Sequence, residues 1–270
     1  MVQTSPRQCI FCDNNANSRE HFWPGWIHDL LPKPPDPRHD RKFFTYHPQT
    51  GLHEKGTVSG RQGALHTIAI QAVCVTCNNG WMERLESAVR PLLTPLITRS
   101  PVALDFEQMS IIARWATLKC IVAEHTTSGT WMTPRADRIA FKADGVIPSY
   151  FSLYLANHNM KGAAGYMRHT LDLRVGTPEY DPPLDGATCN VETISFVLGH
   201  VFVHLNAARI ANFDIESRYT LVPFHGQCRI WPFQHHEMVW PRRPWFDREV
   251  MTKIANTLED FTVGRNITYP

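Results

Sequence analysis

The residues of this chain best suited to chemistry lie in two cysteine knuckles and the stretch between them. Cys9-Ile10-Phe11-Cys12 and Cys74-Val75-Thr76-Cys77 each place two sulfurs two residues apart. One such pair supplies half of a tetrahedral metal site, so the two together make a four-thiolate set suited to a redox-silent zinc ion. The 61 residues 13–73 separate the knuckles, a longer gap than in compact zinc fingers. With all four positions filled by protein, such a site is structural and leaves no place for substrate. Its binding would supply on the order of 10 kcal/mol of folding free energy to a module with little core of its own. The plainer reading is four ordinary buried cysteines.

Between the knuckles stands Ser18-Arg19-Glu20-His21-Phe22-Trp23-Pro24, and Asn78 follows the last cysteine directly. Glu20 and His21 are neighbours, so on a strand they face opposite sides. That suits a division of labour: the carboxylate on a hard cation, the imidazole on a water. The Asn78 amide oxygen offers that cation a second ligand, and oxygen donors favour Mg²⁺ or Mn²⁺. The zinc clamp would hold these distant segments together. Singly, His21 reads as a surface histidine and Asn78 as a helix N-cap.

The pattern CxxC…SxEHxxP…CxxCNxGWMxxLE resembles the HNH, or His-Me finger (ββα-metal), endonuclease superfamily. The layout is most similar to four-cysteine zinc members such as phage recombination endonuclease VII-like nucleases. The resemblance covers residues 5–99 and implies His21 as general base, Glu20 and Asn78 as ligands of the catalytic cation, and Cys9, Cys12, Cys74 and Cys77 as zinc ligands. It implies hydrolysis of nucleic-acid phosphodiesters, DNA favoured, leaving 5′-phosphate and 3′-hydroxyl ends, in a phage or bacterial-defence setting. The chain departs from the family at two places. Glu20 stands where Asp is common, and the segment before the second knuckle, His66-Thr67-Ile68-Ala69-Ile70-Gln71, lacks the central Asn. Trp81 holds the helix position where some members carry a further acid, which leaves Glu83 as a weak substitute.

The elements that must position these groups can be read in order. Residues 65–73 alternate as a strand feeding the second knuckle. Asn78 and Asn79 then stand at a helix start, with Trp81, Leu85, Ala88 and Leu92 on its apolar face and Pro91 ending or kinking it. Trp81 and Leu85 read as core and Glu86 as a solvated charge. Residues 30–62 form a long polar connection whose Arg38, Arg41 and Lys42, interleaved with Phe43, Phe44 and Tyr46, suit a phosphate-facing loop or a solvated insertion.

A second helix spans 106–124, with Asp105 and Gln108 as a capping box and Met109, Ile112, Ala116 and Cys120 on one face. Strands follow at 150–155, 166–173, 194–198 and 201–205, and a last amphipathic helix at 247–261. The expected fold is α+β: a zinc-stapled ββα-metal module over residues 1–100, then a mixed helix and antiparallel-strand domain over 101–270 that selects substrate or partner.

The 270 residues carry a net charge of +2 and a pI near 8.2, which permits a nucleic-acid partner without demanding one. No run of apolar residues is long enough to span a membrane, and the start of the chain lacks a signal pattern. The expected location is cytoplasmic, where Cys120, Cys189 and Cys228 read as buried hydrophobes. A homodimer is compatible with the sequence. His235-His236-Glu237 reads as surface, and Arg242-Arg243 between Trp240 and Trp245 as a nucleic-acid contact or cation–π packing. The rival class is a zinc-stabilised module that binds nucleic acid or protein without cutting.

Overall fold

A computed structural model describes residues 7–31, 69–126, 131–160, 163–171, 189–210, 227–255 and 258, and the backbone alone of 39–47 and 51–61. Strand β1 (Ser18–His21) is followed by the short helix α1 (Gly25–Leu30). The expected long connection contains two strands, β2 (His39–His47) and β3 (Gly51–Arg61), paired antiparallel from His39↔Arg61 to His47↔Gly51. Their aromatic and β-branched content is the signal that the polar composition obscured. Strand β4 (Ala69–Val73) pairs antiparallel with β1, Ser18 opposite Val73 and His21 opposite Ala69.

The chain then enters α2 (Val75–Cys77), a π-helical turn over Asn78–Met82, and α3 (Glu83–Thr98). Two expectations are corrected here. The helix starts three residues earlier than Asn78. Cys74 is its N-cap, the sulfur accepting the Cys77 N–H at 3.4 Å, and Asn17 Oδ1 takes the Val75 N–H at 3.0 Å. Nor does Pro91 end it, since α3 runs through both Pro91 and Pro95. The carbonyls that lose donors to those prolines belong to Ser87 and Pro91, both exposed, where water can satisfy them.

The stop comes at Arg99, in the left-handed region at φ 62°. Arg99 N–H bonds the Leu96 carbonyl at 3.2 Å and Ser100 N–H the Pro95 carbonyl at 2.8 Å, a Schellman ending with arginine in the usual glycine position.

Strand β5 (Val102–Asp105) leads into α4 (Phe106–Ala123), whose capping box is formed by Asp105 and Gln108. Helix α4 is not amphipathic. From Ile112 to Ala123 every residue but Arg114 is buried, Lys119 included, as befits a helix enclosed on all sides. Helix α5 (Arg135–Asp144) follows. Strands β6 (Phe151–Asn157), β7 (Ala163–Leu171), β8 (Val191–Gly199), β9 (Val201–Ala208) and β10 (Cys228–Trp231) then form an antiparallel sheet in the order β10-β6-β9-β8-β7. Strand β11 (Glu237–Trp240) pairs with β5, and α6 (Arg248–Ala255) packs on the outer side of the sheet.

One apolar cluster runs unbroken from Cys9 to Trp240. Trp23, just past β1, lies 6.4 Å from Trp115 of α4 and 5.1 Å from Phe196 of β8 between ring centroids. The N-terminal unit therefore shares its core with the sheet, across the boundary expected near residue 100. The chain is α+β, and no described helix is long and apolar enough to cross a membrane.

The turn between β8 and β9 meets the end of α3 closely. Gly199 has φ +58°, and a Cβ there would lie 2.5 Å from the Ile97 carbonyl oxygen. Gly145 also has positive φ, but its Cβ would meet only the Arg114 side chain, which is exposed and can swing away. Left-handed backbone costs a non-glycine residue about 1–2 kcal/mol. Gly145→Ala is expected to cost about that, and Gly199→Ala more than 2 kcal/mol because the Ile97 backbone cannot yield. Urea unfolding of the two variants measures the difference.

Candidate metal cluster and ion triad

The first knuckle is a tight turn in which Cys9 N–H bonds the Asn14 carbonyl at 2.8 Å. Ile10 N–H reaches the Ala72 carbonyl of β4 at 3.0 Å. Two arginines of α5 hold its outer carbonyls. Arg138 Nε donates to Ile10 O at 2.9 Å, while Arg135 donates to Cys9 O at 3.3 Å and Asp13 Oδ1 at 2.7 Å. Phe11 packs edge-on to Trp81, which also meets Phe141 of α5. Trp81 thus joins both knuckles to α5. Sequence spacing gave no sign of this part played by α5.

The sulfurs of Cys9, Cys12, Cys74 and Cys77 lie within 4.8 Å of one another, the one such ligand group among the described residues. Cys12 Sγ is 3.5 Å from Cys74 Sγ and 3.7 Å from Cys77 Sγ. A tetrahedral zinc ion with Zn–S bonds near 2.3 Å sets its sulfurs about 3.8 Å apart. The cluster has the size to hold one.

Donors surround the sulfurs: Phe11 N–H to Cys9 at 3.5 Å, Cys77 N–H to Cys74 at 3.4 Å and Asn14 Nδ2 to Cys74 at 3.8 Å. Such outer contacts orient thiolates and spread their charge. Burial pushes the Cys74 thiol up, but donation from Cys77, Cys12 and Asn14 outweighs it and brings the thiol down to about 7. Four cysteines held this way could bind a zinc ion.

Glu20 is buried on β1, and its Oε1 accepts from Lys119 Nζ at 2.9 Å. The same ammonium donates to Glu86 Oε1 at 2.6 Å. Lys119 has no exposed surface. Its partners come from β1 and α3, 99 and 33 residues away, so the triad ties three elements at one point. Glu86, read from the sequence as a solvated charge, is instead a partly buried member of this triad.

Burial raises the Glu86 carboxyl, and Lys119 offsets only part of that. Burial opposes the charge of Lys119, yet the two carboxylates hold its pKa above the ordinary lysine value.

Asn78 donates from Nδ2 to Ser18 Oγ at 2.8 Å, so the second knuckle does bring this residue against β1. His21 lies on the opposite side of β1 from Glu20, exposed, with its ring edge-on to His28 at 6.2 Å. The structure thus places Asn78 beside β1, commits Glu20 to Lys119 and turns His21 outward.

Glu83, His235, His236 and Glu237 are exposed. Cys120, Cys189 and Cys228 are buried and free. Arg41 and Lys42 lie on β2, opposite Val58 and Thr57, and Arg38 lies outside the described residues. What the sequence could not reveal was Lys119, a lysine placed on an apolar helix.

Two outcomes follow from this geometry. Metal analysis of the purified chain should find one zinc per chain, and Cys12→Ser should lose it together with several kcal/mol of stability. Lys119→Ala should destabilise by about 3–5 kcal/mol, because it leaves the buried Glu20 and the partly buried Glu86 carboxylates without their cation. Lys119→Met combined with Glu20→Gln and Glu86→Gln should recover much of that loss. Because the folded pKa of Lys119 is raised, its contribution is intact at neutral pH and fades only above the ordinary lysine pKa of 10.5. Denaturant titrations at pH 7 and pH 11 check both statements.

No family model, no curated protein and no solved structure matches this chain.

Proposed function

We propose that the N-terminal unit is a zinc-stapled nucleic-acid-binding module without a hydrolytic metal centre. The observation that carries this reading is the Lys119 ammonium on Glu20. A ββα-metal nuclease needs that carboxylate on a divalent cation, whereas here a positive charge from α4 already sits against it at 2.9 Å. Displacing a buried, hydrogen-bonded ammonium with Mg²⁺ would leave Lys119 unpaired in the core, at a cost of several kcal/mol. Mg²⁺ also dehydrates reluctantly and prefers sites open to its waters.

In this reading Cys9, Cys12, Cys74 and Cys77 hold zinc, which supplies folding energy and no chemistry. Arg19 and His21, both exposed on β1, face the nucleic acid. The resemblance to nucleases of the HNH type supports the partner class, with DNA favoured over RNA.

A second reading is favoured by one arrangement. Asn78 is held to Ser18 of β1, and His21 on the same strand is exposed to solvent. That is two of the three groups of a metal-dependent endonuclease, in which His21 would take a proton from water and a cation of the Mg²⁺ or Mn²⁺ class would stabilise the phosphorane-like charge.

Fluorescence anisotropy with single-stranded, duplex and branched DNA, run beside cleavage assays in Mg²⁺ and Mn²⁺, separates the two. The binding module predicts salt-sensitive binding without cutting, weakened by Arg19→Gln. Metal-dependent cutting that His21→Ala abolishes would establish the endonuclease instead. Absence of binding to every nucleic acid would sink both.

A further inference from the structure

Far from the cysteine cluster, the end of α3, the β8–β9 turn, the end of β6 and the segment before α6 meet at one corner. Backbone bonds fix the meeting. His200 N–H donates to Ile97 O at 3.1 Å, His158 N–H to His200 O at 3.2 Å and Phe246 N–H to Asn157 O at 2.8 Å. Gly199 makes the approach to α3 possible, as described above.

Among the described residues, the corner carries positive charge with no negative partner. The Arg99 guanidinium lies 3.5 Å from the centroid of the Trp245 ring, and that of Arg243 lies 4.9 Å from the same ring. Two guanidiniums on one indole repel each other, and the ring's electron-rich face offsets only part of that repulsion. Among the described residues no carboxylate pairs with Arg99, Arg242 or Arg243. Asp247, the nearest acid in sequence, spends an oxygen on the Val250 N–H at the start of α6.

The corner also holds buried donors without acceptors. Asn157 and His158 have no exposed surface. His158 Nδ1 accepts the Met160 N–H at 3.2 Å, which puts the proton of the neutral ring on Nε2, and that atom has no partner. Arg99 Nη2 is likewise buried and unpartnered. Buried donors in folded proteins are nearly always paired, so unpartnered ones beside a cluster of guanidiniums are suited to an anionic acceptor. Burial, together with the charges of His200 and Arg99, holds the His158 imidazole down at about 4, so at neutral pH it donates as a neutral ring.

Arg99 adds backbone strain to the same account. A glycine in its left-handed position would spare about 1–2 kcal/mol, but would place no guanidinium at the helix end. Strain kept at a charged residue beside unpaired donors is the pattern of a ligand site.

We propose that this corner binds a phosphate-class oxyanion, held by Arg99 and Arg243 with His158 as the inner donor and Trp245 as the pedestal of both guanidiniums. A tetrahedral anion accepts from several directions at once and supplies the missing negative charge. The site stands apart from β1 and does not depend on the reading of the N-terminal unit. Its ligand is either a free phosphate monoester or a phosphodiester of a nucleic-acid strand.

Calorimetric titration of the zinc-loaded full chain with inorganic phosphate, at low ionic strength, tests it. One saturable site is expected. Arg99→Gln should weaken it about tenfold or more, the loss of one charge-assisted hydrogen bond. Arg243 is exposed, so Arg243→Gln retains the fold and should also weaken it. An oligonucleotide without terminal phosphate, displaced by inorganic phosphate and weakened by Arg243→Gln, would assign the diester. Binding of inorganic phosphate without the oligonucleotide would assign a terminal phosphate group, as in a monoester, over the diester. No saturable heat, or wild-type affinity in both arginine variants, overturns the proposal.

Discussion

The N-terminal half of this protein depends on four sulfur atoms meeting at one point. Neither β1, with four residues, nor β4, with five, is long enough to hold a two-stranded sheet in water. The knuckles before β1 and after β4 close the pair from both ends, and Cys74 also caps the helix that follows. The sulfurs thus set where the strands lie, and where α3 begins and in which direction it runs. Everything α3 carries downstream inherits that start: Glu86 one turn in, Arg99 at its far end.

The buried ammonium of Lys119 is the second fixed point, and it is of a different kind. A dry ion pair rarely adds net stability over a well-packed apolar core of the same shape. What it adds here is an orientation: α4 fits against β1 and α3 with one rotation, the one that brings Nζ to both carboxylates. Apolar packing with Trp23, Trp115 and Phe196 supplies adhesion without that directional requirement.

Much of this was legible in the residues, and the rest was hidden for physical reasons. The two CxxC spacings and the capping box at Asp105 and Gln108 are local patterns, and both appear in the structure as a sulfur cluster and a helix start. Lys119 was invisible because its partners are contributed by distant segments, so its surroundings look apolar in sequence. Pro91 does not end the helix because the rule against proline rests on unsatisfied carbonyls, and an exposed helix face lets water answer it. Asn78 looked like a cap because asparagine commonly is one, while the sulfur of Cys74 did that work four residues ahead. The division near residue 100 rested on a change of composition, which says nothing of whether apolar faces meet across it.

The hairpin of β2 and β3 pairs only with itself among the described strands, while β1 and β4, on either side of it, are already joined to each other. The hairpin from His39 to Arg61 is therefore an excursion from a base that β1 and β4 already close. The entropy of closing such a loop grows with the logarithm of its length, about 0.6 kcal/mol for each doubling. Residues can be added to or taken from this excursion with little effect on the sulfur cluster or the core. It is the part of the chain in which length and surface chemistry are free to diverge.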